Sequence, residues 1–216
     1  NRRLKSFYDS IYKKGEARHY TSLLFSGDKI HPARAEVLKE MSWKNKTVLD
    51  AGCGTGEVAY EIARRRAKFV LGADFSREAI RLAKNSYVLP NLAYISTDIS
   101  RVKEKFDVIV SLGTLEHMDD PLRTLRALKA MLKPGGRLII TCPHWTNPRG
   151  YILLTLWHLF RAKITLADLH YLTPIEFTDW AKKLKMKLTW RTVDQDWAHG
   201  EKLARDLERR LPNVSR

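Results

Sequence analysis

Between Thr47 and Cys142 short apolar runs alternate with amphipathic stretches. The runs 47–50, 68–73, 92–97, 106–111 and 136–142 are short, rich in Val, Ile and Leu, and bounded by turn residues. They predict buried strands. Helices are predicted over 56–66, 76–86 and 120–132. In the last of these Leu122, Leu125, Leu128 and Leu132 recur at helical spacing. Asp120 is placed to cap it, Pro121 suits its first turn, and Pro134-Gly135-Gly136 is expected to stop it. Strand–helix alternation of this kind predicts an α/β fold. The sheet is Rossmann-like, doubly wound and mostly parallel, with helices on both faces.

The flanks follow other rhythms. Residues 1–20 are polar and aromatic and predict a helix, followed by a loop at Ser26–Asp28. Pro32 opens a helix to about Met41. After Cys142 the pattern predicts a loop over 143–150 and a strongly apolar segment over 150–161. A second loop surrounds Asp168, and Pro174 opens a helix to about Leu184. A late strand is expected over 186–193 and a charged helix over 199–211. The expected organisation is one domain, 1–216. It divides into an N-terminal helical cap (1–45), a core (46–143), an inserted helical cover (144–175), and a C-terminal helix, strand and helix (176–216).

Composition adds two constraints. Of 216 residues 44% are apolar, enough for a packed core. With 39 basic and 24 acidic residues the formal charge is +15. That favours an anionic partner such as nucleic acid, anionic lipid or a phosphorylated substrate, although the basic residues are scattered and also suit a solvated surface. The two cysteines, Cys53 and Cys142, fall at core strand ends, so a disulfide framework is not expected. A cytoplasmic setting, with peripheral membrane association as a further option, is the expectation.

The chemistry concentrates in Asp50-Ala51-Gly52-Cys53-Gly54-Thr55-Gly56. Strand, glycine turn and helix together present backbone N–H groups and the positive end of a helix dipole to a ligand. A dinucleotide fingerprint would read G-x-G-x-x-G. Here the third glycine comes one residue early and Glu57 stands in the pattern's place, where it would repel a pyrophosphate. Asp74 ends the second strand, as an acid that takes ribose hydroxyls does in this topology. Asp98 ends the third, where it can accept from the exocyclic amine of a base.

These segments resemble the class I S-adenosylmethionine-dependent methyltransferases. "VLDAGCGTG", "VLGADFS", "YISTDI", "FDVIVSLGTLEHMDDP" and "LKPGGRLIITCP" match that family's successive motifs, from about residue 46 to 143. The resemblance implies S-adenosylmethionine as cofactor. Gly52, Cys53, Gly54 and Gly56 would hold its methionine part, with Asp50 beneath. Asp74 would hold the ribose, Phe75 flank the adenine, and Asp98 with Ile99 meet the adenine edge. Leu112 and Gly113 would offer backbone to the methionine end. "FYDSIYKKGEARHY" resembles the segment that folds over the cofactor, which makes Tyr12 and Tyr20 expected contacts, with aromatic packing of a helix the alternative.

The acceptor side is less specified. The stretch after the fourth strand resembles that of ubiquinone-pathway O-methyltransferases, which reads E-x-x-E-H. Here Gly113 replaces the first acid and leaves Glu116-His117, so no metal is expected. His117, His144 and His170 are the candidate bases or acceptor contacts, each also readable as a structural or solvated histidine. "RGYILLTLWHLFRAK" stands where the family builds its acceptor cover. Its ten apolar-rich residues, Tyr151 to Phe160, are too few to span a bilayer. It predicts a core helix, a lid over an apolar acceptor, or an interfacial helix on anionic lipid. The expected activity is methyl transfer to a small or lipid-like acceptor, at oxygen in preference. An RNA methyltransferase and a non-catalytic cofactor-binding scaffold are the alternatives.

Overall fold

The computed structural model describes residues 25–26, 29–30, 32–143, 145, 148–161 and 169–193, and in the tail 201, 204, 205 and 208. They fall into two compact units, residues 1–141 and 142–216.

The first unit opens on a two-stranded antiparallel ribbon, β1 (Phe25–Ser26) and β2 (Lys29–Ile30), followed by α1 (Pro32–Lys39). The alternating region then gives β3 (Thr47–Ala51), α2 (Glu57–Arg64), β4 (Phe69–Asp74), α3 (Arg77–Ser86), β5 (Leu92–Ser96), β6 (Phe106–Leu112), α4 (Pro121–Ala130) and β7 (Leu132–Thr141). The five strands β3–β7 form one sheet in the order β5-β4-β3-β6-β7, and every pairing is parallel.

Side-chain alternation builds a core on each face. Val48, Val70, Val108 and Val110 point to one side. There they pack with Val37 and Leu38 of α1, Val58, Ala59, Ile62 and Ala63 of α2, and Ile80 and Ala83 of α3. Their neighbours Leu49, Leu71 and Ile109 point to the other side, against Leu128 of α4, Met131 and Val102. The helix starts are fixed locally. Ser76 accepts from Ala79 N at 3.2 Å, and Asp120 accepts from Arg123 N at 2.9 Å with Pro121 in the first turn.

Two expectations for this unit change. Its last helix stops at Ala130 and β7 starts at Leu132, not 136. Phe106 pairs with Leu132 and Val108 already pairs with Arg137, so Lys133-Pro134-Gly135-Gly136 bulges out of a strand that has already begun. At the base of the sheet Asp107 Oδ2 accepts from Thr47 N at 2.8 Å and Thr47 Oγ1 at 2.7 Å. The Lys133 ammonium stands 3.1 Å away, so the same group ties down the bulge.

In the second unit α5 runs Pro148–Phe160 and α6 runs Pro174–Lys183. The loop expected over 143–150 thus ends at Pro148, because proline's fixed φ suits the first helical turn. Thr173 and Glu176 form a capping box, with Thr173 N donating to Glu176 Oε2 at 2.8 Å. A small core joins Trp145 and Leu153 to Leu154, Trp157 and Tyr171. The late strand expected over 186–193 is not formed: those residues carry no strand pairing, and Trp190 is 62% exposed. The expected helix over 1–20, with Tyr12 and Tyr20, as well as His144 and the stretch 162–168 with Asp168, lie outside the described residues. No helix among the described residues is long and apolar enough to cross a membrane.

Candidate active site

The C-terminal ends of β5, β4, β3 and β6 are adjacent in the sheet and carry the expected residues. Chain order reverses between β3 and β6, and such a switch point opens a crevice above the strand ends. Asp50 lies within β3 and Asp74 ends β4. Asp98 stands two residues past Ser96, the end of β5. Leu112 ends β6, and Gly113 follows it.

The turn from Gly52 to Gly56 is anchored from beneath. Gly52 N and Cys53 N both donate to Ala73 O, at 2.8 and 3.1 Å, and Gly56 N returns to Cys53 O at 3.0 Å. Gly52 has φ +82°, and a Cβ there would stand 2.4 Å from Thr114 Oγ1, so glycine is required twice over. Gly56 has φ +90° and caps α2 without a side chain.

The acids divide into different tasks. Asp74 accepts from Gly54 N at 3.0 Å and from Ser76 N at 2.9 Å, which couples the turn to the start of α3. Glu57 is buried and accepts from Thr55 Oγ1 at 2.5 Å. Asp98 caps the short 3-10 turn Ile99–Arg101. Its Oδ1 accepts from Ser100 N at 2.9 Å and Ser100 Oγ at 2.7 Å, and those bonds hold its carboxyl below the ordinary range. Phe75 and Ile99 are half-buried beside these acids.

Asp50 is the strained member. It is 2% exposed, and no described donor reaches its Oδ2. Burial pushes its carboxyl up to about 7, the Arg34 guanidinium opposes that, and Asp74 and Glu57 reinforce it. The site therefore favours a ligand bringing donors or positive charge. A pyrophosphate would meet Asp50, Glu57 and Asp74 at once. S-adenosylmethionine, a ribonucleoside with a sulfonium and an ammonium and no phosphate, fits these residues.

Cys53 is buried, and desolvation raises its thiol well above the usual value, so it is a packing residue rather than a nucleophile. His117 ends a 3-10 turn, Leu115–His117, that follows β6 directly, and it is half-buried. His170 belongs to the second unit, and His144 is outside the described residues. Among the described residues no three of His, Cys, Asp and Glu stand together as metal ligands.

Sequence reading missed Arg34, Thr114 and Tyr94. Tyr94 lay inside a matched motif but reads there as an ordinary strand aromatic. Its hydroxyl partner is Gly56 O, 38 residues away in sequence, and no local pattern shows that. Arg34 acts across the fold in the same way, from α1 onto β3.

Comparison with known proteins agrees with this geometry. A family model described as a methyltransferase domain matches residues 25–188. The ubiquinone biosynthesis O-methyltransferase of Coxiella burnetii (strain RSA 331 / Henzerling II) is 30% identical over 169 residues, 74% of this chain and 71% of that protein. The protein of the same name from Neisseria meningitidis serogroup C is 32% identical over 133 residues, 58% of this chain. The match covers only 56% of that relative's length. Among solved structures, magnesium protoporphyrin IX methyltransferase from Synechocystis PCC 6803, with bound SAH, superposes with a TM-score of 0.64. It is 18% identical, covers 82% of this chain and 87% of its own, and shares the fold. From the turn, the strand-end acids and these matches together, the chain belongs to the class I S-adenosylmethionine-dependent methyltransferase family.

Proposed function

We propose that the chain transfers a methyl group from S-adenosylmethionine to an oxygen of a small acceptor with a substantial apolar portion. The observation that carries it is the glycine turn bracketed by buried Asp50 and Asp74 on adjacent strands. The relatives' names support oxygen as the methylated atom.

When bound, the cofactor supplies a methyl group already activated on a sulfonium. The chain's residues then hold and orient. Asp74 takes the ribose hydroxyls, Phe75 flanks the adenine, and Asp98 with Ile99 meets its edge. Leu112 and Gly113 would present backbone to the methionine end, and Tyr12 and Tyr20 are the further contacts proposed for it. Asp50, beneath the turn, balances the positive end of the ligand, with Arg34 limiting the excess of negative charge. A hydroxyl acceptor arrives protonated. His117, His144 and His170 are the groups proposed to take that proton or to hold the acceptor.

The apolar acceptor is inferred from α5. That helix contains no acid, buries Leu153, and leaves Tyr151, Ile152, Leu159 and Phe160 exposed. In this reading residues 144–175 form the acceptor cover, and the exposed strip, flanked by Arg149 and Arg161, also suits an anionic lipid surface.

The test supplies methyl-labelled S-adenosylmethionine with an alkyl-substituted phenol, with total RNA, or alone. Label on the phenol oxygen is expected. Asp74→Ala should weaken cofactor affinity by about 1.5–3 kcal/mol through lost charge-assisted bonds. Label in RNA, or no turnover with intact cofactor binding, would overturn the proposed acceptor. Unchanged affinity in Asp74→Ala, or tight binding of a nicotinamide dinucleotide, would overturn the site.

A further inference from the structure

Tyr94 sits at the middle of β5, two strands away from the glycine turn's own strand, and is 5% exposed. Its ring lies beneath the turn. A Cβ on Gly56 would stand 2.6 Å from its hydroxyl, and one on Gly72 would stand 2.5 Å from its ring. The hydroxyl donates to Gly56 O at 3.0 Å. The same carbonyl accepts from Tyr60 N at 3.0 Å, within the first turn of α2. Gly56 is thus held from two directions, by its own helix and by a distant strand.

We propose that Tyr94 is a positioning residue for the cofactor: its hydroxyl fixes the Gly56 peptide and so aims the turn and the start of α2 at the ligand. This deepens the reading of the turn as an S-adenosylmethionine cradle, and rests on it.

Packing alone does not account for the hydroxyl. The ring belongs to an apolar cluster with Val48, Val70, Ile80 and Ala83, where phenylalanine would fill the same space, and the charged and polar groups that act on its hydroxyl are Cys53, Asp50, Glu57 and Tyr87. A buried hydroxyl is unfavourable there unless bonded, and among the described residues the bond it makes is to the turn. Burial also pushes the phenol above its ordinary value, so the group stays a donor through the physiological range. Gly56 sits at φ +90°, a conformation that glycine reaches but does not prefer over others. A second tether on its carbonyl narrows that freedom.

The two bonds on Gly56 O make the role separable from stability. In Tyr94→Phe the Tyr60 N–H still satisfies the carbonyl, so no buried acceptor is orphaned. The turn loses one restraint while the fold keeps its ring. Tyr94→Leu removes both ring and hydroxyl and serves as the packing comparison.

Three measurements decide the matter: melting temperature, amide hydrogen exchange over 52–60 without ligand, and calorimetric titration with S-adenosylhomocysteine. For Tyr94→Phe we expect melting close to the unmodified protein and faster exchange confined to 52–60. The Kd should rise about three- to tenfold, the equivalent of one neutral hydrogen bond. In turnover, KM for the cofactor should rise while kcat at saturation is kept. Unchanged affinity in Tyr94→Phe overturns the proposal. So does an affinity loss that comes only with a melting decrease as large as that of Tyr94→Leu, since that is ordinary packing. If the unmodified protein itself fails to bind S-adenosylhomocysteine, the cofactor reading falls. The exchange comparison then still decides whether Tyr94 restrains the turn.

Discussion

Two acids in the first unit respond to pH in opposite senses. Asp107 is pushed down to about 2, first by the Thr47 N–H bond and then by the Thr47 hydroxyl and Lys133. A carboxyl lowered on folding stabilises the fold above its unfolded value, near 4, and that contribution is lost as pH falls toward 2. Asp50 is raised to about 7 by burial. Its contribution is complete below about pH 4 and is lost as pH rises through 7, because the folded state then holds a proton the unfolded state releases. Without ligand, the melting temperature of Asp50→Asn should therefore fall less between pH 5 and pH 8 than that of the unmodified protein, by on the order of 5 °C. Asp107→Asn should instead lose the acid-side slope below pH 4. Parallel curves for Asp50→Asn and the unmodified protein would show that Asp50 is ionised in the fold throughout. At this scale the sequence was legible as to position: Asp50, Asp74 and Asp98 stand in or just beyond the strands where they were expected. It was silent on Arg34, Thr114 and Tyr94, whose neighbours, the Asp50 carboxyl, Gly52 and the Gly56 carbonyl, lie far from them in sequence.

Among the elements, the apolar runs identified β3 to β6 to within a residue or two, since buried parallel strands are continuous apolar segments. The two errors have a common cause. Alternation shows which side chains share a face, not whether a neighbouring strand offers a ladder. Met186, Leu188 and Trp190 alternate as a strand would and find no strand partner among the described residues, while Leu132 pairs with Phe106 despite a Pro-Gly-Gly bulge just beyond. For α5 the structure separates two faces that the sequence merged. Leu153 and Trp157 belong to the local core with Trp145 and Tyr171, whereas Ile152 and Leu159 are exposed at 38% and 68%. The exposed pair is thus the sharper probe of acceptor or lipid contact. Ile152→Ser with Leu159→Ser should leave melting within about 2 °C, as surface changes do. It should raise the acceptor KM or weaken binding to anionic liposomes. A double variant indistinguishable from the unmodified protein in both assays would make the strip a plain surface.

For the whole molecule, cofactor chemistry follows from one contiguous sheet edge, and the acceptor does not. The +15 charge is spread along the chain and singles out no acceptor surface, and the matches reach over only 56% and 71% of the relatives' own lengths. One molecular prediction concerns metal. Gly113 stands where the related O-methyltransferase pattern carries its first acid, so turnover is expected to persist in excess chelator. Activity abolished by chelator and restored by magnesium or zinc would refute this.

The position of β3 at the centre of the sheet also orders how the molecule assembles. Val48 pairs with Val70 on one side and with Val108 on the other. Closing the longer loop costs about 0.9 kcal/mol more entropy than closing the shorter one. The β3–β4 half, carrying Asp50, the glycine turn and Asp74, thus forms from near neighbours. The β6 wall depends on a contact of higher sequence separation, the kind that slows folding. The ribose side of the cradle is thus drawn from contacts of shorter sequence separation than its far wall.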